Sequence, residues 1–462
     1  MLHRTPSVKN IVAANISKWD ILVYALPMMV VWSIYLLAYW PGGMSPDSIQ
    51  QWKELLDFKF NDWHPVFHTL TYWLITRLWL SPAAIVITQI VVLSLVLGWG
   101  LLVLRQFGSP RWLTWLTVII FMVLPSVGFM VIVLWKDVFY STAVTALTIM
   151  ILELVLTKGQ WIEERFSWIS LGAIVALIAL YRQNGVIPAF GTMAILLVVY
   201  RDRWKPFAKA FVLALVLWAG IRGPFYTAIG VNRDVDSGLG IALSHLIARY
   251  TNTAVPFSTE ERALLTKIRG AEVWPYNCYM ENALLYDGHY DFLAAKENIN
   301  SLILLSAKLI HRDPQVFLEH LACNSSFAYQ ITQPPNSEYE TVFTYIFTND
   351  FGLKTESKLP RVKGFLDRWD GQTPGPLNWL IWRVPFWNYF LLAGIMLYSF
   401  RTKNWKSLLI VVPIALNVAP LALFTGGQAF RYVFSSTLVS VLMGMPLLLG
   451  FLPASQELKP NG

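Results

Sequence analysis

The chain has 462 residues, of which 55% are hydrophobic, 15% aromatic and only 14% charged. Soluble domains carry about 25% charged residues, so this balance excludes an ordinary soluble domain and predicts an all-α protein that crosses a membrane many times. A formal charge of +8 on a soluble chain would suggest nucleic-acid binding. Here it is read as basic loops gathered on one side of a membrane, with no nucleic-acid partner.

The first eighteen residues are polar and carry Arg4, Lys9 and Lys18. The apolar run at 21–39 exceeds a signal-peptide core of about 7–15 residues, and no small-residue cleavage site follows it cleanly, so it reads as a retained helix. Further apolar runs occupy 82–104, 112–132, 138–156, 168–180, 186–200, 207–219, 379–400, 408–424 and 432–452. A span needs about 20 residues; by that measure about ten spans are expected, although 168–180 and 186–200 are short. Residues 64–80 are ambiguous, and charge decides them. If they cross, the basic connections "RQFGSPR" at 105–111, "YRDRWK" at 200–205 and "RTKNWK" at 401–406 leave the side of the basic N-terminus. If they lie on the surface, those three share its side with "TKGQWIEERF" at 157–166 and the C-terminal tail, as the excess of Lys and Arg in cytoplasmic loops requires. Residues 64–80 therefore read as an amphipathic helix at the outer interface, with His64, His68, Thr71 and Arg77 as its polar contacts.

This threading divides the chain into a transmembrane module at 1–224, an outer and mainly helical region at 225–378, and membrane helices with a short cytoplasmic tail at 379–462. It also collects the charges near membrane depth on the outer face. The first outer loop, 41–81, holds "WPGGMSPDSIQQW" and "DWHPVFH". Asp47 there is either a helix N-cap or a carboxylate kept for chemistry; Ser45 followed by Pro46 caps the same helix equally well. An acid at the edge of the hydrocarbon layer is costly and is usually functional. "LWKDVFYS" places Lys136 and Asp137 side by side at a helix start, which reads as a self-compensating pair or as a phosphate-holding lysine beside a second acid. "YRQNG" offers Arg182 and Asn184, and "GGQAFRY" offers Arg431 and Tyr432. Each arginine is either a snorkelling side chain or a two-pronged donor to phosphate; three cations on one rim favour an anionic ligand. Arg222 is a fourth, weaker candidate. His64 and His68 are candidates to contact a phosphate or orient a carboxylate. In the outer region "STEERALL" at 258–265 is a capping-box helix start, and "DPQVFLEHL" at 313–321 begins with an Asp cap. Cys278 and Cys323 both fall on the outer side, where oxidation is allowed, so they either form a disulfide or remain buried thiols.

Taken together, the aspartate after the first span, the "HP" surface helix, the outer "WKD", the "R-x-N-G" and the late "RY" resemble the GT-C superfamily of integral membrane glycosyltransferases. The likeness covers roughly 21–231 and 379–452. It implies Asp47 as the first-loop catalytic acid, Asp137 as the second outer acid, and a donor sugar linked to a polyprenyl phosphate or diphosphate. Lys136, Arg182 and Arg431 would meet that phosphate. The acceptor would be a glycan, lipid or protein in contact with the membrane, and the location a bacterial plasma membrane with the site facing outward. A lone Asp47 replaces the paired acidic motif of some branches, which leaves the use of a divalent cation (Mg or Mn) open. The expected reaction is one-step displacement at the anomeric carbon, with Asp47 taking the acceptor proton. A polymerase or ligase acting on diphosphate-linked glycans is the nearest alternative. A transporter or lipid flippase ranks lower, because transporters place their charges at the midplane.

Overall fold

The computed structural model describes residues 17, 19–233, 238–335, 337–369, 375–425 and 427–452. Arg4, Lys9, Lys18, residues 370–374, Gly426 and the C-terminal residues 453–462 lie outside them. Among the described residues every regular element is helical, and extended pairing occurs only as isolated bridges. Six helices among the described residues are long and apolar enough to cross a membrane: Asp20–Ala38, Pro82–Gln106, Lys136–Leu156, Arg201–Ala228, Trp405–Leu423 and Phe430–Leu449. The pair Arg111–Val123 and Pro125–Val131, bent by 63°, makes a seventh if it is one span. The expected ten is therefore matched by six or seven on length and composition. Ser167–Tyr181 and Gln183–Val199 are shorter, and Val384–Thr402 is interrupted by Trp387, Asn388, Tyr389 and Arg401.

The chain enters α1 at Asp20–Ala38, then α2 at Pro46–Asp57 and α3 at Val66–Thr76. With 11 residues, α3 is about 16 Å long, too short for a hydrocarbon core of about 30 Å. Helices α4 (Pro82–Gln106), α5 (Arg111–Val123), α6 (Pro125–Val131), α7 (Lys136–Leu156) and α8 (Ser167–Tyr181) follow. The sequence suggests one uninterrupted span at 112–132; Leu124 breaks it, with φ −72° and ψ 106°. The ring of the following proline excludes the helical region for the residue before it. Arg201–Ala228 is longer than the 207–219 run, because it continues through a π-turn at Ile221–Phe225 that contains Pro224.

Helix α7 is the central post, and its apolar window is entirely buried. It packs against α4, α8, Val412–Phe424 and Phe434–Leu449. A helix that is apolar all round must be surrounded, and its threonines raise no polar conflict. Thr142, Thr145 and Thr148 each donate to the carbonyl four residues back. Val384–Thr402 lies against Phe434–Leu449 through Gly394, where a Cβ would stand 2.9 Å from the Gly444 carbonyl oxygen. Small residues allow backbones to approach that closely.

Residues 238–329 form short helices around a second core containing Leu246, Tyr250, Ile268, Trp274, Leu285, Leu305 and Leu309. Both sequence caps are present. Ser258 accepts from the Glu261 backbone N–H while Glu261 accepts from that of Ser258, and Asp313 accepts from Gln315 and Val316. Cys278 and Cys323 form a disulfide with a Cα–Cα separation of 5.9 Å. Closing a loop of 45 residues removes about 4 kcal/mol of unfolded-state entropy in the chain-entropy account. The Cys278→Ser/Cys323→Ser variant is therefore expected to unfold several degrees lower in a thermal melt, and reductant should shift the wild-type melt the same way.

Candidate functional site

The site begins with the sequence "WPGGMSP". Gly42 has φ +116°, a conformation that side chains disfavour. At Gly43 a Cβ would lie 2.2 Å from the Phe343 carbonyl oxygen. The missing side chain at Gly43 lets residues 343–347 run alongside. Met44 N–H donates to the Tyr345 carbonyl at 3.0 Å, and Phe347 N–H donates to the Met44 carbonyl at 3.0 Å. Ser45 then caps α2, accepting from the Ser48 N–H at 3.4 Å with Pro46 in the first turn. Trp135 fixes that hydroxyl by donating its indole N–H at 2.9 Å. The competition between the two possible caps is resolved: Ser45 does the capping, and the Asp47 carboxylate is left free of it.

Asp47 turns instead to the last loop. Arg431 Nη1 donates to Asp47 Oδ2 at 3.1 Å, and 35% of the Asp47 side chain remains accessible. On the other side His64 Nε2 stands 3.8 Å from Asp47 Oδ1, and Lys136 Nζ lies 3.2 Å from His64 Nδ1. An ammonium only donates, so Nδ1 accepts and neutral His64 carries its proton on Nε2, toward Asp47. Burial, with the neighbouring Lys136 charge adding, holds the His64 pKa down at about 3. Burial alone would raise the Asp47 pKa; the charges of Arg431 and Lys136 outweigh it and keep the carboxyl at about 2.

A second pair lies beside the first. Asp137 is fully buried and lies 3.2 Å from Arg182 Nη1. The Arg182 guanidinium sits 5.2 Å from the Tyr140 ring and 4.9 Å from the Tyr432 ring. Arg431 stacks near the same Tyr432 ring at 5.1 Å and over Trp135 at 4.8 Å. One tyrosine therefore separates the two arginines. Asn417 holds this arrangement: it accepts from Tyr140 Oη at 2.7 Å and donates to the Tyr432 carbonyl at 3.1 Å.

Of the residues singled out in the sequence, Asp47, His64, Lys136, Asp137, Arg182, Arg431 and Tyr432 form this connected cluster. Three others do not join it by a direct contact. His68 is fully buried, pairs through Nδ1 with Gln51 at 3.0 Å and lies tilted against the Tyr72 ring; burial pushes its pKa well below the usual value. Arg222 pairs with Asp62. Asn184 is half-buried in the short turn Gln183–Gly185.

Two carboxylates that the motif reading did not pick out complete the cluster. Glu340 Oε1 lies 3.2 Å from Arg431 Nε, placed by backbone pairing in which Glu340 N–H donates to the Gln428 carbonyl and Phe430 N–H to that of Glu340. Glu281 adjoins Gly427, where a Cβ would meet its Oε2 at 2.8 Å. The disulfide lies beside these contacts: Gln428 donates its side-chain amide to the Cys323 carbonyl and its backbone N–H to the Tyr279 carbonyl. Neither glutamate sits in a motif; only the non-local pairing brings them in. Among the described residues no group of three or more His, Cys, Asp or Glu side chains is placed to hold a metal ion; Asp47 and Asp137 each face a guanidinium instead.

Burial pushes Glu281 up to about 7 and Glu54 to about 7, from an ordinary 4.5. A carboxyl with a raised folded pKa contributes stability below its unfolded value, and that contribution fades as pH rises through the folded one. Thermal stability is therefore expected to fall as pH rises from 4.5 to 7. The Glu54→Gln/Glu281→Gln variant, melted across the same range, should show a flatter profile.

Compared with known protein families, with curated proteins and with solved structures, the chain matches none.

Proposed function

We propose that the protein is a membrane glycosyltransferase that moves a sugar from a polyprenyl phosphate (or diphosphate) to an acceptor on the outer face of the membrane. The observation that carries this reading is an accessible Asp47 carboxylate in contact with Arg431, beside Lys136 and one aromatic ring from Arg182. An acceptor hydroxyl approaches Asp47 and loses its proton to Oδ1 or Oδ2 as its oxygen bonds to the anomeric carbon. The bond from that carbon to the phosphate oxygen breaks, and its electron pair leaves with the phosphate. That leaving group is already anionic, so it needs stabilising charge rather than an acid. Arg182 spends only part of its donor fork on Asp137, and Lys136 has protons beyond the one given to His64. These remaining donors can face the phosphate in surroundings where charge interactions are strong. A single displacement inverts the anomeric centre, and protonated Asp47 then returns its proton to water.

Two of the three cations are matched by carboxylates: Arg431 by Asp47 and Glu340, and Arg182 by Asp137. This balance keeps the two buried guanidinium groups tolerable. Glu340, whose pKa burial raises, is the partner suited to be exchanged for phosphate or to take a proton when phosphate arrives. The test is to supply purified protein in lipid nanodiscs with polyprenyl-phosphate hexoses and to follow release of free polyprenyl phosphate. Donor-dependent release with sugar appearing on an acceptor supports the reading. Uptake of the donor lipid across a sealed bilayer with no covalent product favours a flippase. Because Asp47 stays ionised down to about pH 2, its protonation should not limit the rate between pH 7 and pH 4.

A further inference from the structure

Beside Asp47 lies a cleft of about 420 Å³ that the reaction above does not use. One wall is the α2 face carrying Pro46, Ile49, Gln50 and Lys53, and the other is the turn Phe347–Phe351. These helix positions repeat at three- and four-residue steps and so share one face. Gln50 is one turn on from Asp47. The volume falls within the range of about 300–1,000 Å³ usual for small-ligand sites.

The lining has a mixed character. Phe347 and Phe351 supply aromatic surface, while Lys53, Thr348 and Asp350 are exposed polar groups at the rim. The turn is held open by Asn349, which donates to the Phe347 and Leu353 carbonyls and accepts from the Phe351 and Leu353 N–H groups. An aromatic path joins cleft and site: Trp135, under Arg431, meets Phe343 at 6.0 Å, and Phe343 meets Phe347 at 5.1 Å. A sugar presents an apolar C–H face and a hydroxylated edge, and aromatic rings with mixed donors and acceptors match both. A phosphate headgroup would want net positive charge, which Asp350 opposes. An acyl chain would want an unbroken apolar wall.

We infer that this cleft is a saccharide-binding subsite that holds the acceptor as a short glycan running from Asp47 along α2. Naming the acceptor class in this way rests on the transferase reading, but saccharide binding itself does not. The probes are maltotetraose, cellotetraose and chitotetraose, examined by saturation-transfer NMR with the whole protein in micelles. At least one tetraose should bind the wild type and the Asp47→Asn variant alike. The exposed-residue variant Lys53→Ala/Asp350→Ala should weaken that binding about tenfold, as loss of hydrogen bonds to charged groups does. It should raise the acceptor KM to a similar extent while leaving the donor KM and kcat unchanged. A wild type that binds none of the three, or binding indifferent to the double variant, overturns the subsite. A tetraose bound in the cleft by a protein that never turns over donor would sink the transferase reading alone.

Discussion

Asp47→Asn is expected to lower sugar transfer roughly 10³-fold, the scale of a lost general base, while donor binding persists. The substitution is nearly isosteric, and the cap of α2 rests on Ser45 rather than on Asp47. The helix start should therefore survive, and thermal unfolding should change little. Asparagine still offers an oxygen to Arg431, but it has no basic site for the acceptor proton. The comparison is made by single-turnover transfer with saturating donor, alongside equilibrium binding of a polyprenyl phosphate. A variant that turns over at close to the wild-type rate would remove Asp47 from the base role.

Arg431→Lys is the second large effect, with an expected loss of about 10²–10³-fold in kcat. Lysine keeps the charge but not the planar fork, and Arg431 uses that fork to reach Asp47 and Glu340 at once. A single ammonium cannot reproduce both contacts with the stacking over Trp135 and Tyr432. Asp47 also loses the guanidinium hydrogen bond that helps to depress its pKa, so the acidic limb of the rate profile should move upward. A pH profile separates this from a simple packing defect, which would leave the limb in place.

What the sequence made legible followed from strong local physics. Basic residues in short connections sorted the span ends, and contacts pair the same ends: Arg203 with Glu163, and Lys406 over the Tyr200 ring. At the other end Asp47, Lys136, Arg182 and Arg431 converge, as the shared rim suggested. The number of spans was less legible, because short apolar runs such as 168–180 carry no signal that separates a crossing helix from a buried one. The break at Leu124 was in principle visible in Pro125. Glu340 was not visible, and Glu281 could not be told apart from the other scattered acids of residues 225–378. Their places depend on bridges from 340 to 429 and from 280 to 427, which join segments far apart in the chain and leave no periodic trace. His68 shows the reverse case: a histidine singled out beside His64 in the sequence turns inward to Gln51 from its place on the α3 face.

The proposed transfer requires one ligand in one place. A structure determined with a polyprenyl-phosphate sugar analogue should show its phosphate in hydrogen-bonding reach of Lys136 and Arg182, with the anomeric carbon turned toward Asp47. A phosphate bound at the opposite ends of the helices, near Arg203 and Lys406, or an analogue that never approaches Asp47, would contradict it.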